Sequence, residues 1–173
     1  MTQVINLFAA PGVGKSTLSA GLFYKLKHAG INVEMSREYA KDLVWSDRLR
    51  AMDDQIHIFG EQHHRLFMLQ KDVDVVITDA PILMQLMYSQ GYPSCFADTV
   101  KWAFDKFNNN NYLLTRTKAY NPKGRRQTLE ESDAKQVALV DILAKYDIQY
   151  KVTTGNECGL NFIYDDIINK IDR

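Results

Sequence analysis

Residues 8–17, Phe-Ala-Ala-Pro-Gly-Val-Gly-Lys-Ser-Thr, constrain this chain more than any other stretch. Gly14-Lys15-Ser16 closes a phosphate-binding loop, whose usual pattern is Gly, four residues, then Gly-Lys-Ser/Thr. Ala9 stands at the first position and is the one departure. The flanks fit the motif. Residues 4–8 are short, apolar and β-prone, as a buried parallel strand is. Residues 16–28 place Leu18, Leu22 and Leu26 at helical spacing. Gly12 and Gly14 let backbone N–H groups approach a phosphate with no Cβ in the way. The helix that follows offers unpaired N–H groups and partial positive charge to an anion. Lys15 supplies a mobile ammonium for the β- and γ-phosphates, and Ser16 a hydroxyl for Mg²⁺. Pro11, Val13 and Thr17 complete the cradle expected for ATP.

A second stretch answers the first. Residues 74–79, Asp-Val-Val-Ile-Thr-Asp, form an apolar strand that ends in an acid before Ala80-Pro81. An acid at the carboxyl end of a strand beside a phosphate loop holds Mg²⁺ or takes the proton of an attacking hydroxyl. Asp79 is therefore both a catalytic and a metal candidate. An aspartate capping a helix with Pro at its first position is the bland alternative.

The chain has 173 residues, enough for one α/β domain with its own core, and residues 1–173 are expected to form that one domain. Apolar residues make up 46% and charged ones 24%, with 21 basic against 21 acidic. Zero net charge disfavours a general nucleic-acid binder but leaves room for a local basic groove. Cys95 and Cys158 lack metal-ligand spacing and fit a reducing cytoplasm. No apolar run reaches membrane-spanning length and no signal-peptide pattern opens the chain.

Along the chain, residues 31–35 read as a second strand. Ser36-Arg37-Glu38-Tyr39 follow its carboxyl end, where ligands of doubly wound sheets collect. Arg37 and Glu38 are candidates for substrate contact, with Ser36 as the next helix's cap the alternative. Residues 38–70 read as mostly helical, with Asp53 as cap of the longer helix. Gln55, Gln62 and Arg65 are placed to read a base or sugar, and Trp45 to pack or to stack on one. His63 and His64 are adjacent and lack zinc-ligand spacing, so a solvated helix face is the reading preferred for them. Residues 81–90 make a short methionine-rich helix and residues 94–107 another, ended by a polar turn at 108–111. Residues 111–116 form the fourth strand, 128–146 a helix, 149–153 the fifth strand, and after a turn at 154–157 the last helix runs to the end. The loop at 154–156 is expected beside an adenine ring.

After the fourth strand, residues 116–128 carry Arg116, Lys118, Lys123, Arg125 and Arg126 with turn signals at Asn121-Pro122 and Lys123-Gly124. A basic loop opposite a phosphate cradle reads as a lid that sheds water and sets guanidinium charge on a transferring phosphoryl group. Arg125 and Arg126 are its first candidates and Arg116 the next, since a planar fork matches phosphate oxygens. A solvated surface loop is the alternative.

Strands alternating with helices predict an α/β, three-layer P-loop NTPase fold with a five-stranded parallel sheet. Taken together, Gly12-Val13-Gly14-Lys15-Ser16, Arg37-Glu38-Tyr39-Ala40, the helix carrying Gln55 and Gln62-His63, Ile77-Thr78-Asp79 and Gly124-Arg125-Arg126-Gln127 resemble the P-loop nucleoside and nucleotide kinases. The resemblance runs to the ribosylnicotinamide kinase-like AAA domains and their short phage relatives. It implies ATP·Mg²⁺-dependent phosphorylation of a nucleoside, a nucleotide or a similar small metabolite, in the cytoplasm, or the host cytoplasm for a phage protein. The residues that would identify nicotinamide riboside are not matched. A kinase acting on DNA, at an end or a hydroxymethylated base, a regulatory NTPase and a non-catalytic nucleotide-binding module are the rival readings. A homodimer is compatible with all of them.

Overall fold

A computed structural model describes residues 1–121 and 128–171. The first strand, β1 (Gln3–Phe8), is followed by the glycine loop and α1 (Lys15–His28). Next come β2 (Val33–Ser36), α2 (Tyr39–Trp45), a 3-10 turn (Leu49–Asp53) and α3 (Gln55–Leu69). Strand β3 (Val75–Thr78) leads into a second 3-10 turn (Ile82–Met87) and α4 (Ser94–Phe104). Strand β4 (Asn108–Thr115), α5 (Leu129–Lys145), β5 (Lys151–Thr154) and α6 (Glu157–Ile171) complete the order.

The strands form one all-parallel sheet in the order β2-β3-β1-β4-β5. Period-two alternation divides their side chains between two layers. Val4, Phe8, Val76 and Leu113 face α3, α4, α5 and the Ile82–Met87 turn. Ile5, Leu7, Ile77 and Leu114 face α1 and α6, where Leu18, Leu22, Leu26, Ile163 and Ile167 close the second core. This is the three-layer α/β arrangement of a P-loop NTPase. Because β1 and β3 are neighbours, the loops that leave their carboxyl ends open side by side.

Several boundaries differ from the sequence reading. The asparagine run is not a turn: Asn108 to Asn111 begin β4. Asparagine has low strand propensity, but here the amides are paired across strands. Asn6, buried in β1 and in register with Asn111, donates from Nδ2 to Asn109 Oδ1 at 2.8 Å and to Asn111 Oδ1 at 2.9 Å. Asn109 in turn donates to the carbonyls of Phe104 and Phe107, so α4 stops at Phe104. Asp54 rather than Asp53 caps α3, accepting from the His57 N–H at 3.0 Å. The methionine-rich segment is a 3-10 turn and not an α-helix. Thr128 caps α5 through a full capping box with Glu131. No helix among the described residues is long and apolar enough to cross a membrane.

Candidate functional site

The loop between β1 and α1 is fixed by its own backbone. Gly12 and Gly14 have φ of 82° and 119°, which a side chain would strain. Ala9 is fully buried and is absent from the positions with positive φ, so a methyl group costs nothing there. Lys15 Nζ donates to the carbonyls of Ala9 at 2.6 Å and Ala10 at 3.1 Å, which folds the ammonium across the loop's mouth.

Three long-range braces hold this cradle, and local pattern gave no sign of them. On one side, α5 supplies Gln136, whose Oε1 accepts from the Ala10 N–H at 2.7 Å, and the fully buried Ser132, whose hydroxyl donates to the Pro11 carbonyl at 2.7 Å. On the other side, Gly155 presses against the loop so closely that a Cβ there would lie 2.0 Å from the Val13 carbonyl oxygen. The 154–156 loop thus backs the cradle, and its Asn156 side chain accepts from Cys158 and Gly159 at the start of α6.

At the loop's front, Ser16 Oγ donates to Asp79 Oδ2 at 2.7 Å. Asp79 follows β3 directly, and the Ala80 N–H donates to Thr78 Oγ1 at 3.1 Å, tightening the turn behind it. Its carboxylate is buried, and Oδ1 has no hydrogen-bond partner among the described residues. Lys41 enters the same cluster. Its ammonium donates to Ser16 Oγ at 2.6 Å and lies 3.3 Å from Asp79 Oδ2 and 3.5 Å from Glu38 Oε2. The sequence reading quoted the motif as far as Ala40 and so passed over Lys41.

Glu38 is the N-cap residue of α2, and Ser36 instead ends β2, buried. The Ser36–Tyr39 turn is held by Gln62, which reaches back from α3. Gln62 Oε1 accepts from the Tyr39 N–H at 3.0 Å, while Nε2 donates to Ser36 Oγ at 3.1 Å and to the Arg37 carbonyl at 3.3 Å. Its amide is committed to positioning Glu38. Arg65 likewise donates to the Arg37 carbonyl and pairs with Asp42 at 2.5 Å.

These elements enclose a cleft of about 430 Å³ that starts at the phosphate loop and continues between α2, α3 and the Ile82–Met87 turn. Of the predicted site residues it brings together Pro11, Gly12, Gly14, Lys15, Ser16, Thr17, Glu38, Gln55, Gln62 and Asp79. Val13 is buried behind the loop. Arg37 is exposed outside the cleft lining, and Arg116, also outside it, donates to Asp133 at 2.8 Å and at 2.7 Å to the Ser132 hydroxyl that braces Pro11. Arg125 and Arg126, with the centre of the expected lid, lie outside the described residues. Trp45 is exposed and lies away from the cleft.

Away from the phosphate loop the lining mixes apolar Val44, Met52, Ile58, Pro81 and Met84 with the amides of Gln55, Gln62 and Gln85. Tyr88 also lines the cleft, its phenol pushed up by burial first and by the charge of Glu38 second. The histidines of α3 stand away from the cleft, but His63 is not simply solvated. It packs among Phe59, Phe67 and Phe107, and burial, then the charge of His64, push its imidazole below the ordinary value. No cluster of three metal-ligating side chains occurs among the described residues, so a cation at this site relies on Ser16, Asp79 and the oxygens of its own ligand.

A glycine loop on a helix N-terminus, a hydroxyl and a carboxylate 2.7 Å apart at its front, and the parallel sheet behind them agree with one further finding: the family model for an AAA domain matches residues 4–157. The chain belongs to the AAA domain family. Its P-loop makes it a nucleotide-binding domain of that family, and the match takes in both strands that carry the site, β1 and β3. No curated protein matches the chain.

Proposed function

We propose that this AAA domain is a kinase that transfers the γ-phosphoryl group of ATP to a hydroxyl or phosphate of a nucleoside, nucleotide or related small metabolite. The observation that carries the reading is the continuity of the cleft. A hydrolase needs room for water beside the phosphate loop. Here the same cleft extends from the phosphate loop to Met52, Ile58 and Met84 and to the amides of Gln55 and Gln85, room and contacts that suit an organic acceptor.

The residues divide the work as follows. The backbone of the loop and Lys15 hold the β- and γ-phosphates. Ser16 and Asp79 are hard oxygen donors that fit Mg²⁺, which Asp79 would hold through water, leaving its unpartnered Oδ1 for the acceptor hydroxyl. Bound there, the ion would neutralise charge on the phosphate oxygens. Glu38 positions the acceptor, and Asp79 orients its hydroxyl and takes the proton. The acceptor oxygen bonds to the γ-phosphorus as the bond from that phosphorus to the β–γ bridging oxygen breaks, and ADP departs with the electron pair. Positioning and charge stabilisation supply nearly all of such a rate enhancement.

The test is ATP turnover with Mg²⁺ across nucleosides, nucleoside monophosphates and hydroxymethylated DNA, with Lys15→Ala and Asp79→Asn run in parallel. Strong stimulation by one small acceptor is expected, falling by about 10²- to 10³-fold in each variant. Stimulation by DNA alone would move the assignment to a nucleic-acid kinase. Turnover indifferent to every acceptor would leave a regulatory NTPase.

A further inference from the structure

Two glutamines in the acceptor chamber carry acceptors with nothing to accept. Gln55, the first residue of α3, and Gln85, in the 3-10 turn after Asp79, are 8% and 9% exposed. Both line the cleft, and in both the buried Oε1 has no hydrogen-bond partner among the described residues. The orientation of Gln55 is fixed. Its Nε2 donates to the Met52 carbonyl at 2.6 Å, and an exchanged amide would set oxygen against oxygen there. Its main-chain N–H is held as well, by the Tyr92 hydroxyl at 3.0 Å. A buried carbonyl left unpaired in an apolar wall is costly, and the cost is relieved by a donor that arrives with a ligand. Neither glutamine is needed for the phosphate end of the cleft, which Lys15, Ser16, Lys41 and Asp79 already furnish.

We infer that Gln55 and Gln85 are specificity residues that meet the edge of a planar heterocycle, with the Gln55 oxygen accepting from an N–H donor, so that the acceptor is a nucleoside-like molecule bearing an exocyclic amino group. The inference rests on the kinase reading for the word acceptor but not for the pocket itself. The apolar side chains of Val44, Met52, Ile58 and Met84 suit the faces of a flat ring, the fixed Gln55 oxygen suits an N–H at its edge, and the Gln85 amide, held by no hydrogen bond among the described residues, can turn to meet the same edge. A ring edge made only of acceptors would leave the Gln55 oxygen unpaired and face it with like partial charge. Sites built around buried polar groups reject ligands that lack the partner more strongly than apolar pockets reject a missing methylene.

The experiment is calorimetric titration of the full-length chain, with ADP and Mg²⁺ present, using two pairs of ribonucleosides that differ only in the amino group. One pair is adenosine and purine riboside, the other cytidine and 2-pyrimidinone riboside. At least one amino compound should bind about tenfold or more tightly than its partner, the ratio expected when a buried acceptor is left unpaired. Gln85→Leu, whose Oε1 holds no structural bond to lose, should reduce that ratio to about twofold, and Gln55→Leu should do the same where circular dichroism shows it folded. Equal affinities within both pairs, no binding of any of the four, or a ratio that survives Gln85→Leu overturns the inference. Selective binding without phosphoryl transfer refutes the kinase and keeps the pocket. Transfer to an acceptor without such donors, with no selectivity, keeps the kinase and refutes the pocket.

Discussion

Lys41 touches three of the groups that the proposed chemistry uses: the hydroxyl of Ser16 and the carboxylates of Asp79 and Glu38. Its side chain is 47% exposed, so it keeps access to solvent and is free to exchange partners when phosphate arrives. Hydrogen bonds to charged groups contribute more than neutral ones. Lys41→Met should lower kcat by about 10- to 100-fold while leaving ATP affinity within a few-fold. Separate determination of kcat and the ATP dissociation constant decides it, and an unchanged kcat would reduce Lys41 to a surface partner of Glu38. Residue-scale legibility was uneven for a physical reason. Lys15, Ser16 and Asp79 announce themselves through local pattern, a strand ending in a glycine turn or in an acid. Lys41 and Gln85 do not, because an amphipathic or apolar segment says nothing about which side chain meets a loop dozens of residues away. Gln62 was legible as a polar group near the site, but its task is to hold the Ser36–Tyr39 turn.

Among the elements, α5 and the β5–α6 connection do more than cover the sheet. They grip the phosphate loop from behind, through Ser132, Gln136 and the backbone of Gly155. The contact at Gly155 is close enough to fix that residue's identity. In Gly155→Ala the new Cβ would lie 2.0 Å from the Val13 carbonyl oxygen, so the loop must shift. Overpacking of this kind costs about 1–3 kcal/mol, and the displaced amides should weaken nucleotide binding further. Denaturant unfolding and nucleotide titration read the two effects, and wild-type values in both would show that the connection moves instead of the loop. The helices and most strands were readable from hydrophobic period and turn residues. The start of β4 was not, because four asparagines make a strand only where Asn6 of a neighbouring strand supplies amide partners. The 3-10 turn after Asp79 was misread as α-helix since apolar period does not separate the two over so short a run.

For the molecule as a whole, the balanced charge of 21 basic and 21 acidic residues leaves no overall field to draw in a polyanion. Affinity for nucleotide rests instead on one preorganised loop between two cores. A ligand that binds only the folded chain stabilises it by mass action. ATP with Mg²⁺ at a hundred times its dissociation constant should add about 2.7 kcal/mol, a rise of about 5–10 °C in Tm for a chain of this size. Lys15→Ala should abolish most of that rise at the same ATP concentration, and a rise that persists would place the nucleotide elsewhere. The braces on the loop carry a further meaning for how the chain is made. The Pro11 carbonyl and the Ala10 N–H are synthesised 121 and 126 residues ahead of the Ser132 and Gln136 side chains that hold them. Parallel strands far apart in sequence pair late. As the chain leaves the ribosome, its most recognisable motif emerges long before the side chains that brace it, so the loop gains its hold from behind only after Gln136 has been translated.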